Sequence, residues 1–133
     1  LTGFMTTSSN LGSPIKVTVE TFYVEGQSQP ELDKYVFAYS VTIKNHSLCS
    51  AKLVSRYWLI TDANGKEIEV QGEGVVGEKP TIAPGESYKY TSGAVIETPV
   101  GTMQGYYTLK NEFGTEFDAP INVFRLAQPN ILH

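Results

Sequence analysis

Apolar side chains along this chain recur every second residue over short runs, the rhythm of half-buried strands and not the 3.6-residue rhythm of a helix. Ile15, Val17 and Val19 alternate with Lys16, Thr18 and Glu20, which predicts a strand with one dry face. Tyr35, Phe37, Tyr39, Val41 and Ile43 alternate with Val36, Ala38, Ser40, Thr42 and Lys44, predicting a longer strand that ends at Asn45. Over residues 52–61, Leu53, Tyr57 and Leu59 fall on one face, and Val54, Arg56, Trp58 and Ile60 on the other. Both faces carry apolar groups, as in the centre of a sheet. Asp62-Ala63-Asn64-Gly65 signals a hairpin, because Asn-Gly accepts the positive φ angles of tight turns, and it leads into a strand over residues 66–71. Pro84-Gly85 suits the middle of a type II turn ahead of a strand over residues 88–92. Two further strands, residues 103–110 and 116–124, are joined across 111–114.

About seven strands at this spacing, with no convincing amphipathic helix, predict an all-β fold. The expected form is an immunoglobulin-like or fibronectin type III-like β-sandwich of two antiparallel sheets. Ile82-Ala83-Pro84-Gly85-Glu86-Ser87-Tyr88 is similar to the L-x-P-G-x-x-Y corner of fibronectin type III modules, so the Tyr88 hydroxyl is expected to tie down its own turn. The 133 residues suit one domain with its own core. Residues 1–13, rich in Thr, Ser and Gly, are expected to form a flexible N-terminal tail, and residues 14–133 the single domain.

Composition then narrows the partners. With 14 acidic and 10 basic side chains the formal charge is −4 and no basic run occurs, which argues against a nucleic-acid backbone as partner. A single cysteine, Cys49, has no partner within the chain and suits a reducing compartment, so a cytoplasmic location is expected. No segment has the apolar length for membrane insertion, and the first residues lack the pattern of a secretory signal.

Residues 69–80 carry a GxGxxG pattern, Gly72, Gly74 and Gly77, followed by Lys79. In dinucleotide-binding units such glycines let a helix N-terminus approach a pyrophosphate, so the pattern must open a helix. Val75-Val76 favours extended structure, and Pro80 and Pro84-Gly85 cut off any helix. Two readings remain: an anion nest of backbone N–H groups assisted by Lys79, or a bulge or tight crossing between sheets. Catalytic residues are expected to be absent. His46 lies in a polar turn, His133 ends the chain, and neither falls in a triad or zinc spacing. Cys49 reads as an ordinary loop-edge thiol. Asp62, Glu67, Glu69, Glu73, Glu78, Glu86 and Glu97 follow no metal-loop pattern, so neither a metal site nor a cofactor is expected.

Residues 56–61 (RYWLIT), 69–77, 90–93 (YTSG), 98–105 (TPVGTMQG), 124–127 (FRLA) and the Leu132-His133 end, taken together, closely resemble the bacterial ApaG proteins. The resemblance spans roughly residues 14–133 and rests on motifs in the family's order. It implies a fibronectin-III-like sandwich. It also implies kinship with domains of a eukaryotic F-box protein and a polymerase-delta-interacting protein, where the implied role is recognition of other proteins. It further implies a link to cobalt resistance and magnesium transport, and a gene neighbour encoding a diadenosine tetraphosphate hydrolase, without a settled activity. The expectation is therefore a non-enzymatic binding module with a protein partner, the alternative being nucleotide or pyrophosphate binding at Gly72, Gly74, Gly77 and Lys79.

Arg56, Tyr57, Trp58, Tyr88, Tyr90, Tyr106 and Tyr107 supply the residue types that dominate binding hot spots. Tyr106 and Tyr107 are strand neighbours that must point to opposite faces, so one of them leaves the core. Tyr107, Met103 and Pro99 are the expected partner contacts, the last two within a loop at residues 97–104 at one end of the sandwich. On this expectation Tyr107→Ala leaves the fold intact, and Gly74→Val abolishes ligand binding while sparing the sheet.

Overall fold

A computed structural model describes residues 14–129. Eight strands run in the order β1 (Ile15–Tyr23), β2 (Tyr35–Asn45), β3 (Ala51–Asp62), β4 (Glu67–Glu73), β5 (Thr81–Ile82), β6 (Ser87–Ile96), β7 (Val100–Asn111) and β8 (Glu116–Ala127). Single 3-10 turns at Glu25–Gln27 and Pro30–Leu32 fill the β1–β2 connection. The strands form two antiparallel sheets, β1-β2-β6 and β4-β3-β7-β8, so the all-β two-sheet architecture is as the alternation predicts. No α-helix occurs among the described residues, and none is therefore long and apolar enough to cross a membrane. The expected tail and His133 lie outside the described residues.

The one strand beyond the predicted seven, β5, is two residues long and pairs with Ala51 and Lys52, on the same edge of β3 that β4 occupies further along. One interrupted edge strand thus runs as β4, a loop over residues 74–80, and β5. A two-residue strand leaves almost no periodic signal, which is why the pattern does not reveal it.

The face assignment along β3 needs one correction. Register against β7 slips between Leu53 and Ser55, a bulge that places Val54 outside the ladder. Leu53 therefore joins Trp58 and Ile60 in the core, while Tyr57 and Leu59 keep the outer side. Strict alternation would send Leu53 outward with Tyr57.

Trp58 sits at the centre of the core with its ring edge-on to Tyr39 (5.4 Å), Phe124 (5.8 Å) and Tyr107 (6.1 Å). Burying rings of this size stabilises by roughly 2–3 kcal/mol each. The Tyr90 and Tyr107 hydroxyls bond to each other across the two sheets. Burial pushes both phenols far above the ordinary tyrosine range, so both stay neutral in the folded protein. One side of the sandwich is closed by packing of β1 on β8; β4 and β6 form the other side.

Candidate functional site

The glycine loop is a tight finger and not a cradle. Val75 and Glu78 exchange both backbone hydrogen bonds (2.8 and 2.9 Å) around Val76-Gly77, and both central residues have positive φ, 47° and 80°. That is the I′ turn, whose twist suits a hairpin. The expectation that both valines extend the chain fails at Val76, which is left-handed and 60% exposed, whereas Val75 is wholly buried and plugs the finger into the core. Gly74 is required by space as well as by φ (63°): a Cβ there would stand 2.1 Å from the Glu78 carbonyl oxygen.

The N–H groups expected to hold an anion are largely engaged. Gly74 donates to the carbonyl of Val54 at the β3 bulge (2.8 Å), and Val75 and Glu78 donate to each other. Gly72 serves as floor for an inner side chain, with the Arg56 guanidinium lying within 2.8 Å of where its Cβ would be. That guanidinium donates to the carbonyls of Glu73 (3.2 Å) and Gly74 (3.0 Å), binding loop to sheet. Lys79 pairs with Glu73 at 2.9 Å, which holds the Glu73 carboxyl below its usual range. Tyr88 donates to the Glu78 carboxylate (3.0 Å), so it ties down the glycine finger and not, as the fibronectin corner predicts, its own turn.

The second predicted loop shrinks and moves away. Residues 100–111 belong to β7, leaving only residues 97–99 as a connection. Thr98 accepts from the Ala63 N–H (3.0 Å) and donates to the Val100 carbonyl (2.7 Å), fastening this turn to the 62–65 hairpin. The Asp62 carboxylate organises that hairpin by accepting from Asn64 and Lys66 N–H groups. Hairpin and glycine finger lie at opposite ends of β4, about 20 Å apart for seven strand residues. They do not make one site.

Of the three expected partner contacts, Met103 and Tyr107 are both fully buried, on the inward positions of β7, and Pro99 is half-buried. The alternation argument holds for the pair but selects the other member. Tyr106 is 40% exposed on the outer face. It stacks on Tyr57 of the neighbouring strand with ring centroids 5.1 Å apart and planes inclined by 24°.

Around this pair lies an open depression of about 350 Å³, lined by Ser55, Arg56, Tyr57, Gln71, Gly72, Glu73, Tyr106 and Thr108. Register explains the assembly: Tyr57 faces Gln71 on one side and Tyr106 on the other, and Ser55 faces Glu73 and Thr108. Two further carboxylates lie outside that lining, each bonded to a lining side chain. Tyr57 donates to Glu69 (2.6 Å), and Thr108 donates to Asp118 (2.8 Å). The Glu69 bond, followed by desolvation and the Glu69 charge, pushes the half-buried Tyr57 phenol up to about 12. Among the described residues the ion pairs are Lys66–Glu97 and Lys79–Glu73, so Glu69 and Asp118 take part in neither, while the depression itself holds the Arg56 guanidinium and the Lys79-paired Glu73. Each of these residues is visible in the sequence; their convergence across three strands is a matter of register.

The remaining candidates are dispersed. His46 is exposed beyond the end of β2, and Cys49 lies half-exposed in a turn organised by buried Asn45, whose Nδ2 donates to the carbonyls of Cys49 and Ile82 (both 2.8 Å). Among the described residues no three His, Cys, Asp or Glu side chains gather in a group that could hold a metal ion.

Comparison with known proteins agrees with this architecture. The model of the ApaG domain family matches residues 25–111. The curated Protein ApaG of Escherichia coli O1:K1 is 56% identical over 124 residues, covering 92% of this chain and 99% of that protein. The Protein ApaG of Shigella boydii serotype 18 has the same identity and coverage. An X-ray structure of a Northeast Structural Genomics Consortium target superposes with a TM-score of 0.87 at 54% identity, over 92% of this chain and 93% of that one. The crystal structure of a Bordetella pertussis protein designated ApaA gives 0.85 at 46% identity, over 88% and 95%.

Proposed function

The chain belongs to the ApaG domain family, and from that premise we propose that it works as a non-enzymatic module that recognises another protein. The observation that carries this reading is the open face at Tyr57 and Tyr106. There a stacked aromatic pair and a shallow depression come together on the sheet, with the Glu69 carboxylate bonded to the Tyr57 hydroxyl beside them. Aromatic groups held in fixed geometry lose little entropy on binding, which suits them to anchor a partner. The link to cobalt and magnesium that the family resemblance implies is then an effect exerted through the partner.

The nucleotide or pyrophosphate reading has less support at the glycine finger, because the Gly74, Val75 and Glu78 N–H groups bond to protein carbonyls and Lys79 bonds to Glu73. Amide NMR titration with pyrophosphate, ATP and diadenosine tetraphosphate, with and without Mg²⁺ or Co²⁺, tests it. Saturable shifts at Gly72, Gly74 and Gly77 would put that reading first. For the module, cross-linked partners from cell extract are compared between the native chain and Tyr106→Ala. Loss of specific partners from the folded variant is expected; an unchanged partner set sinks the proposal for this face.

A further inference from the structure

We infer that the outer face of β4, β3 and β7 receives an extended basic segment of a partner protein, with an arginine seated over Tyr57–Tyr106 and held by Glu69. This rests on the protein-recognition reading and names the chemistry of its partner. The planar guanidinium is the cation that matches the geometry. It stacks on an aromatic face and offers paired N–H donors to a carboxylate, which the compact ammonium of lysine does not. Tyr106 presents the exposed ring, and Tyr57 fixes the Glu69 carboxylate at the edge of the stack through its 2.6 Å bond.

Beyond this anchor, the spacing of the carboxylates selects an extended segment. Glu67 and Glu69 occupy alternate positions of β4, followed by Gln71 and by Glu73, which Lys79 already pairs, opposite Thr61, Leu59, Tyr57 and Ser55 on the outer face. Alternate strand positions lie roughly 6.8 Å apart. An extended segment with basic residues at every second position has the same period, so its basic groups meet the row of carboxylates in step. The segment lies over the outer face and not beyond the β4 edge, because Tyr106 on β7 is two strands in from that edge. Neither Glu69 nor Asp118 is neutralised from within the described chain, and the overall charge of −4 favours a cationic partner at long range.

The test is an amide NMR titration of the full chain with a short capped peptide carrying arginine at alternate positions between threonines. A peptide with citrulline replacing every arginine, and one with lysine, serve as comparators. Citrulline keeps the planar shape and removes the charge. Saturable shifts are expected along residues 67–73 and at Tyr57, Tyr106 and Thr108, with binding at least about tenfold weaker for citrulline and roughly threefold weaker for lysine. Glu69→Gln and Tyr106→Ala, both at exposed positions that leave the spectrum folded, each weaken the arginine peptide by about fivefold or more. Equal binding of the citrulline peptide, shifts scattered over every acidic residue, or indifference to Tyr106→Ala overturns the inference and leaves the edge carboxylates as guards against strand pairing. If Tyr106→Ala removes a cross-linked partner while the arginine peptide does not bind, the recognition module survives and its basic partner does not.

Discussion

Tyr57 and Tyr106 adjoin Trp58 and Tyr107 in the chain, yet one pair forms an exposed stack and the other the centre of the core. The four residues share two hydrogen-bonded strands, with Tyr57 opposite Tyr106 and Tyr107 one step along opposite Arg56. Their difference is which side of the sheet the pleat turns them to. On the inner side aromatic area is removed from water and a hydroxyl must find another hydroxyl, as Tyr107 finds Tyr90. On the outer side the same chemistry stays available, with the Tyr57 hydroxyl committed to Glu69 and Tyr106 40% exposed. Residue type therefore says little about role here, and side of sheet says nearly everything.

The contrast is broken most forcefully from the inner side. Trp58→Ala is expected to cost about 3–5 kcal/mol, enough to unfold much of the population, and urea denaturation measures it. Trp58→Phe should recover part of that loss. The indole N–H has no hydrogen-bond acceptor to forfeit, and its place among Tyr39, Tyr107 and Phe124 is still filled by a ring. A variant Trp58→Ala as stable as the native chain would show that Trp58 does not organise the core.

Tyr107→Phe leaves the buried Tyr90 hydroxyl without its partner and is expected to cost about 1–3 kcal/mol, while Tyr106→Phe changes stability by less than about 0.5 kcal/mol. Equal effects of the two variants in the same denaturation experiment would erase the distinction between the faces.

Alkaline titration separates the sides again. Burial raises the folded pKa of Tyr90 and Tyr107 above the unfolded value of about 10, so the unfolded chain releases those protons first. Their contribution to stability is whole below pH ~10 and declines as pH rises beyond it. Thermal unfolding followed by circular dichroism should show the melting temperature falling above pH ~10. Tyr57, by contrast, lies half-buried on the outer face, and its hydrogen bond to Glu69, with some desolvation, pushes the phenol up to about 12. Glu69→Gln should bring one phenol back toward the ordinary value in a spectrophotometric titration while leaving the melting temperature nearly unchanged. A titration curve identical to that of the native chain would contradict the Glu69 pairing.

The smallest expected effect lies in the glycine finger, where Val76 occupies a left-handed position that β-branched residues avoid. Val76→Asn should stabilise by about 0.5–1 kcal/mol, read as a rise in the denaturation midpoint. Gly74→Val, in contrast, drives a side chain into the Glu78 carbonyl and destabilises the finger whether or not anything binds there, so loss of binding in that variant says nothing about a ligand.

The sequence by itself determined the all-β class, the positions of the long strands, the turns at Asn64-Gly65, Pro84-Gly85 and residues 111–114, and the family. Alternation and turn chemistry are local, and they persist in the one-dimensional pattern. It also determined that one of Tyr106 and Tyr107 must leave the core. Only the tertiary structure decided which, because the answer depends on where β7 meets β3 and β8, and bulges shift that register at Val54 and beyond Met103. The same holds for the glycine pattern. Three glycines at the right spacing allow a cradle or a finger, and the outcome follows from the Val54 carbonyl and the Arg56 guanidinium, both brought in from β3, together with the Val75–Glu78 pairing inside the loop. The Tyr57–Tyr106 depression was invisible for that reason too: its residues span three strands and meet only once long-range pairing sets each strand's neighbours.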